Sequence, residues 1–206
     1  MNLNNWLQEL AILAPPLLLS LTIHEVAHGY VADRLGDHTA RLAGRLTLNP
    51  LKHLDPIGTI AFFLVHLGWA KPVPVNPRYF RDPRRDMLLV ALAGPASNFL
   101  LAVACAILAK LLLAAPLVPI FLRLPLTGML VAGVWINLVL GVFNFLPIPP
   151  LDGGRILLGL LPPRLAASYA RIEPYGFLLL LALFATGIVG KLLSPVIHFA
   201  HSLLLG

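Results

Sequence analysis

His24-Glu25-Val26-Ala27-His28 is the stretch of this chain whose residue types and spacing can do chemistry. On a helix, positions i and i+4 share one face about 6 Å apart, so two imidazoles can reach one metal ion. Glu25 stands beside them, where it can contact a water in an open coordination position. This is the H-E-x-x-H arrangement of zinc hydrolases. The alternative is three polar side chains satisfied by a neighbouring helix. Two histidines leave a catalytic zinc one protein ligand short, because such sites usually take three plus a water. Asp152 is the best-placed candidate for the third: it follows directly on an apolar run, and Gly153-Gly154 lets the backbone approach a metal closely. An ordinary turn at Leu151-Asp152-Gly153-Gly154 is the competing reading. His38, His53, His66, His198 and His201 read as surface or interfacial residues.

The elements that must position these groups are membrane helices. The 206 residues are 58% hydrophobic and 12% charged, with a mean hydropathy of +0.85; a soluble domain carries about 25% charged residues. Uncharged runs near the length of a bilayer span place the chain in a membrane. Glu25 lies well inside one of them, and a carboxylate there costs at least a few kcal/mol, which marks it as functional. Spans are expected at about 10–32, 87–115, 128–146 and 174–190, with 191–206 an interfacial helix or a short fifth passage. Pro15-Pro16 predict a kink or a late helix start in the first span. Ile57 to Ala70 is apolar but short for a crossing, and the prolines from Pro72 to Pro77 forbid helix. The segment 57–77 therefore reads as a re-entrant or extended hairpin. The expected architecture is an all-α polytopic membrane protein, one membrane-embedded domain over 1–206.

Lys and Arg exceed Asp and Glu by 15 − 9 = 6. In so apolar a chain this excess sets topology rather than binding nucleic acid, so the expected partner is the lipid bilayer and no nucleic acid. With four spans, 12 of the 15 basic residues fall on one side, which puts that side in the cytoplasm and the N-terminus outside. No removable signal peptide is expected at the N-terminus. Cys105, the single cysteine, excludes an intrachain disulfide.

The chain resembles the site-2 protease family of intramembrane metalloproteases, specifically its small bacterial and archaeal members without a PDZ or CBS domain. The likeness is carried by His24 to His28, by Leu48-Asn49-Pro50-Leu51-Lys52-His53-Leu54-Asp55-Pro56-Ile57-Gly58-Thr59 and by Gly68-Trp69-Ala70-Lys71-Pro72-Val73-Pro74-Val75-Asn76-Pro77. It continues through Gly94-Pro95-Ala96-Ser97-Asn98 and Asn144 to Gly154, so it covers about 10–190 in order. The resemblance implies that His24, His28 and Asp152 bind one Zn2+ and that Glu25 is the catalytic acid/base. It also implies a core of three spans and regulated intramembrane proteolysis, with transmembrane protein substrates cut near the cytosolic face.

For such chemistry, a helical substrate must unwind before its peptide bond can be attacked. An exposed extended edge could hold the unwound strand by backbone pairing. The stretch from Trp69 through Val73 to Val75 is the candidate, against the alternative of a rigid connector. Asn144 could orient substrate backbone or make a helix–helix hydrogen bond, and for Asn137 the helix–helix bond is the better reading. Three rivals use the same residues otherwise: a non-haem iron oxygenase, a metal or proton transporter and a non-enzymatic scaffold. The Glu between the histidines speaks against all three.

Overall fold

Runs of Leu, Ile, Val and Ala unbroken by charge become helices in lipid, because only there can each backbone group find a partner within the same segment. The computed structural model of the chain describes residues 3–58, 60 and 70–206. Its helices are α1 (Leu3–Arg34), α2 (Thr39–Leu42), α3 (Pro83–Leu113), α4 (Ile120–Asn144), α5 (Asp152–Leu160), α6 (Pro163–Ala170), α7 (Gly176–Ala185) and α8 (Ile188–Leu205). Four of these, α1 from Leu7, α3, α4 and α8, are long and apolar enough to cross a membrane. No strand occurs among the described residues, so the chain is an all-α polytopic protein. Large apolar side chains face outward, with Leu100 73% and Phe121 72% exposed, as lipid rather than water would favour.

The core is a three-helix bundle of α1, α3 and α4. Ala91, Gly94, Asn98, Ala102, Cys105, Ala106 and Ala109 recur every three or four residues on the buried side of α3. Small residues at this spacing let helix backbones approach closely, which is how helices associate where no hydrophobic effect separates protein from lipid. Against this stripe α4 sets Val134, Asn137, Leu138 and Gly141. Val189, Leu193 and Ile197 of α8 close the cluster from the other side. His198 and His201 pack on Trp135, with ring centroids 5.2 and 5.6 Å away.

The helix boundaries choose between sequence alternatives at Pro15-Pro16 and in the tail, and depart from the expectation over 174–190. Helix α1 runs through Pro15 and Pro16 instead of starting after them, since a spanning helix tolerates proline where neighbouring groups satisfy the freed carbonyls. The span expected over 174–190 is divided. Helix α7 has 10 residues, about 15 Å or half a bilayer core. Gly187, at φ 70°, then turns the chain in the left-handed conformation that glycine takes at helix ends. The candidate crossing is the 18-residue α8, formed from the tail. Hydropathy is continuous through Gly187 and does not register the turn.

Of the hairpin expected over 57–77, residues 59 and 61–69, with His66 and Trp69, lie outside the described residues. The stretch beyond them is extended, as its prolines require: Ala70 forms an antiparallel bridge with Leu54, and the Lys71 N–H donates to the His53 carbonyl at 2.8 Å.

Candidate metal centre

His24 and His28 lie one turn apart on α1, and Asp152 is the first residue of α5. The chain between α4 and α5 folds through tight turns, with the Ile148 N–H on the Leu146 carbonyl and the Leu151 N–H on that of Ile148. Leu146 and Leu151 anchor this loop in the core. A Cβ at Gly153 would sit 2.3 Å from the Leu146 carbonyl oxygen and 2.4 Å from that of Phe145. The Gly-Gly pair after Asp152 is thus a steric requirement for pressing the first turn of α5 onto the end of α4. Tyr169 of α6 donates to the Pro147 carbonyl at 3.0 Å. Burial, then the nearby Glu173, pushes its phenol above the ordinary range, so it stays protonated as a donor.

This architecture brings three donor atoms together. His24 Nε2 and His28 Nε2 are 3.0 Å apart, and Asp152 Oδ2 lies 3.1 Å from the first and 3.3 Å from the second. A tetrahedral zinc with bonds of 2.0–2.1 Å separates its ligand atoms by about 3.3 Å, so the spacing fits. Protonation supports the fit. His24 Nδ1 lies 2.6 Å from Asn98 Oδ1, and His28 Nδ1 lies 2.7 Å from the Val90 carbonyl oxygen. Both partners can only accept, so each imidazole carries its proton on Nδ1 and points an Nε2 lone pair inward. Asp152 Oδ2 is buried without a hydrogen-bond donor. Two lone pairs and a carboxylate oxygen facing one another in apolar surroundings call for a cation. Among the described residues, no other cluster of three His, Cys, Asp or Glu side chains can hold a metal.

A polar relay continues from His24 across the bundle. Asn98 donates to Asn137 Oδ1 at 2.8 Å, and Asn137 donates to Ser20 Oγ and the Gly133 carbonyl, each at 2.8 Å. Asn98, Asn137 and Ser20 are fully buried. The expected helix–helix role of Asn137 is what the structure shows. Asn98 as the partner of His24 escaped sequence reasoning, although a lone Asn inside an apolar run was a visible signal. So did Gly94, where a Cβ would meet His28 Nε2 at 2.4 Å and His24 Cε1 at 2.6 Å.

The extended stretch reaches the same site. The Val73 N–H donates to Glu25 Oε2 at 2.9 Å. Arg45, buried, donates to the carbonyls of Lys71 at 2.7 Å and Pro72 at 3.3 Å, and Asp37 accepts the Asn76 N–H at 2.6 Å. The Val73 side chain is buried and Val75 packs on the cluster around Ala32 and Phe80. Both side chains are therefore turned into the protein. Asn144 turns its amide back onto its own helix, donating to the Leu140 carbonyl at 3.0 Å.

Residues 121–185, which include Asp152 but not the His24–His28 motif, match the sequence model of peptidase family M50. The chain is 46% identical over 185 residues to YwhC of Bacillus subtilis, covering 88% of this chain and 84% of that one. It is 33% identical over 196 residues to Rip2 of Mycobacterium tuberculosis, covering 90% and 71%. The names of both relatives give them as candidate zinc metalloproteases. Zinc metalloprotease MJ0392 of Methanocaldococcus jannaschii is 26% identical over 156 residues, 75% of this chain and 35% of its own length. No solved structure matches the chain.

Removing the groups behind the imidazoles tests this geometry. Asn98→Ala should lower zinc affinity by about 10–100-fold, the usual range for such partners, and Gly94→Ala should do at least as much by displacing both rings. Competition with a fluorescent zinc chelator measures both; affinity unchanged in either variant would contradict the arrangement.

Proposed function

The chain belongs to peptidase family M50, the site-2 proteases, and from that membership we propose that it cuts peptide bonds within or next to transmembrane segments of other proteins. It is a zinc-dependent metalloprotease and a multi-pass membrane protein. His24, His28 and Asp152 are the zinc ligands in this reading, and Glu25 is the catalytic acid/base. The observation that carries it is the meeting of two inward-pointing imidazole nitrogens with a donorless buried carboxylate oxygen.

Zinc held there supplies a Lewis acid that makes water nucleophilic near neutral pH and polarises the scissile carbonyl. Glu25 sits between the two histidines in sequence, with one oxygen held by the Val73 N–H and the other left to take the attacking water's proton and pass it to the leaving amine. The Asn98 and Val90 oxygens keep both imidazoles in the tautomer that ligates. His24 and His28 lie roughly 9–15 Å along α1 from Arg34, shallow enough for water to arrive by a short channel. The extended stretch 70–76 lies beside Glu25, and its backbone edge is the candidate seat for an unwound substrate strand, with Val73 and Val75 contributing main-chain groups. Trp69, outside the described residues, is a further candidate for substrate binding from the sequence alone, and Asn144 would serve by turning its amide from Leu140 toward substrate.

Glu25→Gln keeps shape and hydrogen bonding but removes the proton acceptor. Zinc content should stay near one per chain while cleavage of a single-span substrate in liposomes falls at least about 10²-fold. Wild-type cleavage by that variant, with its metal intact, would end the proposed role.

The active site opens toward the cytoplasm in this reading, with the N-terminus outside. The basic residues support it: 12 of the 15 lie in the segments joining α1 to α3 and α4 to α8, or at the adjoining helix ends, and Lys191 near the start of α8 adds a thirteenth. Cysteines introduced at the exposed positions Arg78 and Arg164 should react with an impermeant maleimide only after cells are opened. Labelling of either in intact cells would reverse the orientation.

A further inference from the structure

Past Arg34 the chain turns back onto α1. Arg34 is exposed at the end of α1 and donates to the exposed Tyr30, whose ring also faces its guanidinium at 4.9 Å. An Arg–Tyr pair of this kind marks the interfacial level of a span. Gly29 lies five residues earlier, about 7–8 Å deeper along the helix. A Cβ at Gly29 would touch Leu46 Cδ2 at 2.7 Å, Val73 Cγ1 at 2.9 Å and Ala40 Cβ at 3.2 Å. The connector therefore folds back along α1 to a depth below its own exit point.

The polarity of this connector is inverted relative to a loop in water. Leu42, Leu48 and Leu51 are 85%, 65% and 74% exposed. The one charged residue between Leu42 and Leu51 is Arg45, which is 7% exposed and turned inward to the Lys71 and Pro72 carbonyls. Backbone groups are largely satisfied locally. The Ala43, Gly44 and Arg45 N–H groups bond to the carbonyls of Thr39, Arg41 and Ala40. Asn49 Oδ1 takes the Leu51 N–H, the Asn49 N–H bonds to Thr47 Oγ1, and His53 Nε2 bonds to the Thr47 carbonyl. A segment that hides its cation, presents three leucines and closes its own backbone bonds meets the requirements for irregular chain at membrane depth.

We propose that residues 42–51 form a lipid-inserted rim: Leu42, Leu48 and Leu51 enter the acyl chains of the leaflet at which α1 ends, beside the site that holds Glu25. The occupant of this face is lipid: the segment is anchored through Leu46 on Gly29, next to the exposed Tyr30 of a helix long and apolar enough to cross a membrane. Lys52, exposed at its far end, reaches back toward headgroups.

The test needs no enzyme activity, so it stands apart from the proposed reaction. Leu42→Cys, Leu48→Cys and Leu51→Cys, each in a Cys105→Ala background, are labelled with an environment-sensitive fluorophore and reconstituted in liposomes, with Arg78→Cys as the aqueous control. Zinc content near wild type identifies the variants that are folded. The three rim labels should be quenched several-fold more by nitroxide-bearing acyl chains than by iodide, and the Arg78 label the reverse. Iodide quenching at the rim would overturn the proposal, and so would shielding from both quenchers, which would mean a protein partner or a second copy covers the leucines.

Discussion

Two imidazole lone pairs and a carboxylate oxygen are held about 3 Å apart in an apolar bundle, and the rest of the fold answers to that repulsion. Without a cation the arrangement is costly, since charge and unsatisfied polar atoms in low dielectric are each penalised by several kcal/mol. The bundle must therefore be stiff enough to hold the donors together before metal arrives. Its stiffness comes from close helix contact: the small-residue face of α3 lets Gly94 pass directly over both rings, and no larger residue fits.

The buried polar chain is the second consequence. Ser20, Asn137, Asn98 and His24 connect three helices in a single direction of donation, so each amide orientation is dictated by the next. In lipid such bonds contribute only modestly each to helix association. Their larger effect is on specificity: rotating α1 would cut His24 from Asn98 and point its lone pair away. The same coupling extends outward, because Glu25 is tied to Val73, and Arg45 and Asp37 tie the chain on either side of Val73 to the connector after α1. Glu25, the extended stretch and the connector form one connected unit.

Much of this was legible in residue order. The spacing of His24, Glu25 and His28 encodes a helical face, and the prolines after Lys71 dictate extended chain, because both are local rules. Local pattern alone left Asp152 open between ligand and turn, and only the family resemblance made it a ligand, since its role depends on a meeting of α1 and α5 that no local pattern encodes. The roles of Asn98 and Gly94 were hidden for the same reason: an Asn or Gly in an apolar run is visible but names no partner. The division of 174–190 was missed because apolar character persists through Gly187 while a left-handed residue breaks the helix. Hydropathy measures what a segment can dissolve in, and it carries no information on direction.

The central claim is that two Nε2 imidazoles and the Asp152 carboxylate hold the metal. X-ray absorption at the zinc edge of purified, zinc-loaded protein tests it most directly. The account predicts a shell of nitrogen and oxygen at about 2.0–2.1 Å with scattering from two imidazole rings, dropping by one ring in His24→Ala. A sulfur ligand at about 2.3 Å, or a single imidazole in the wild-type protein, would contradict it.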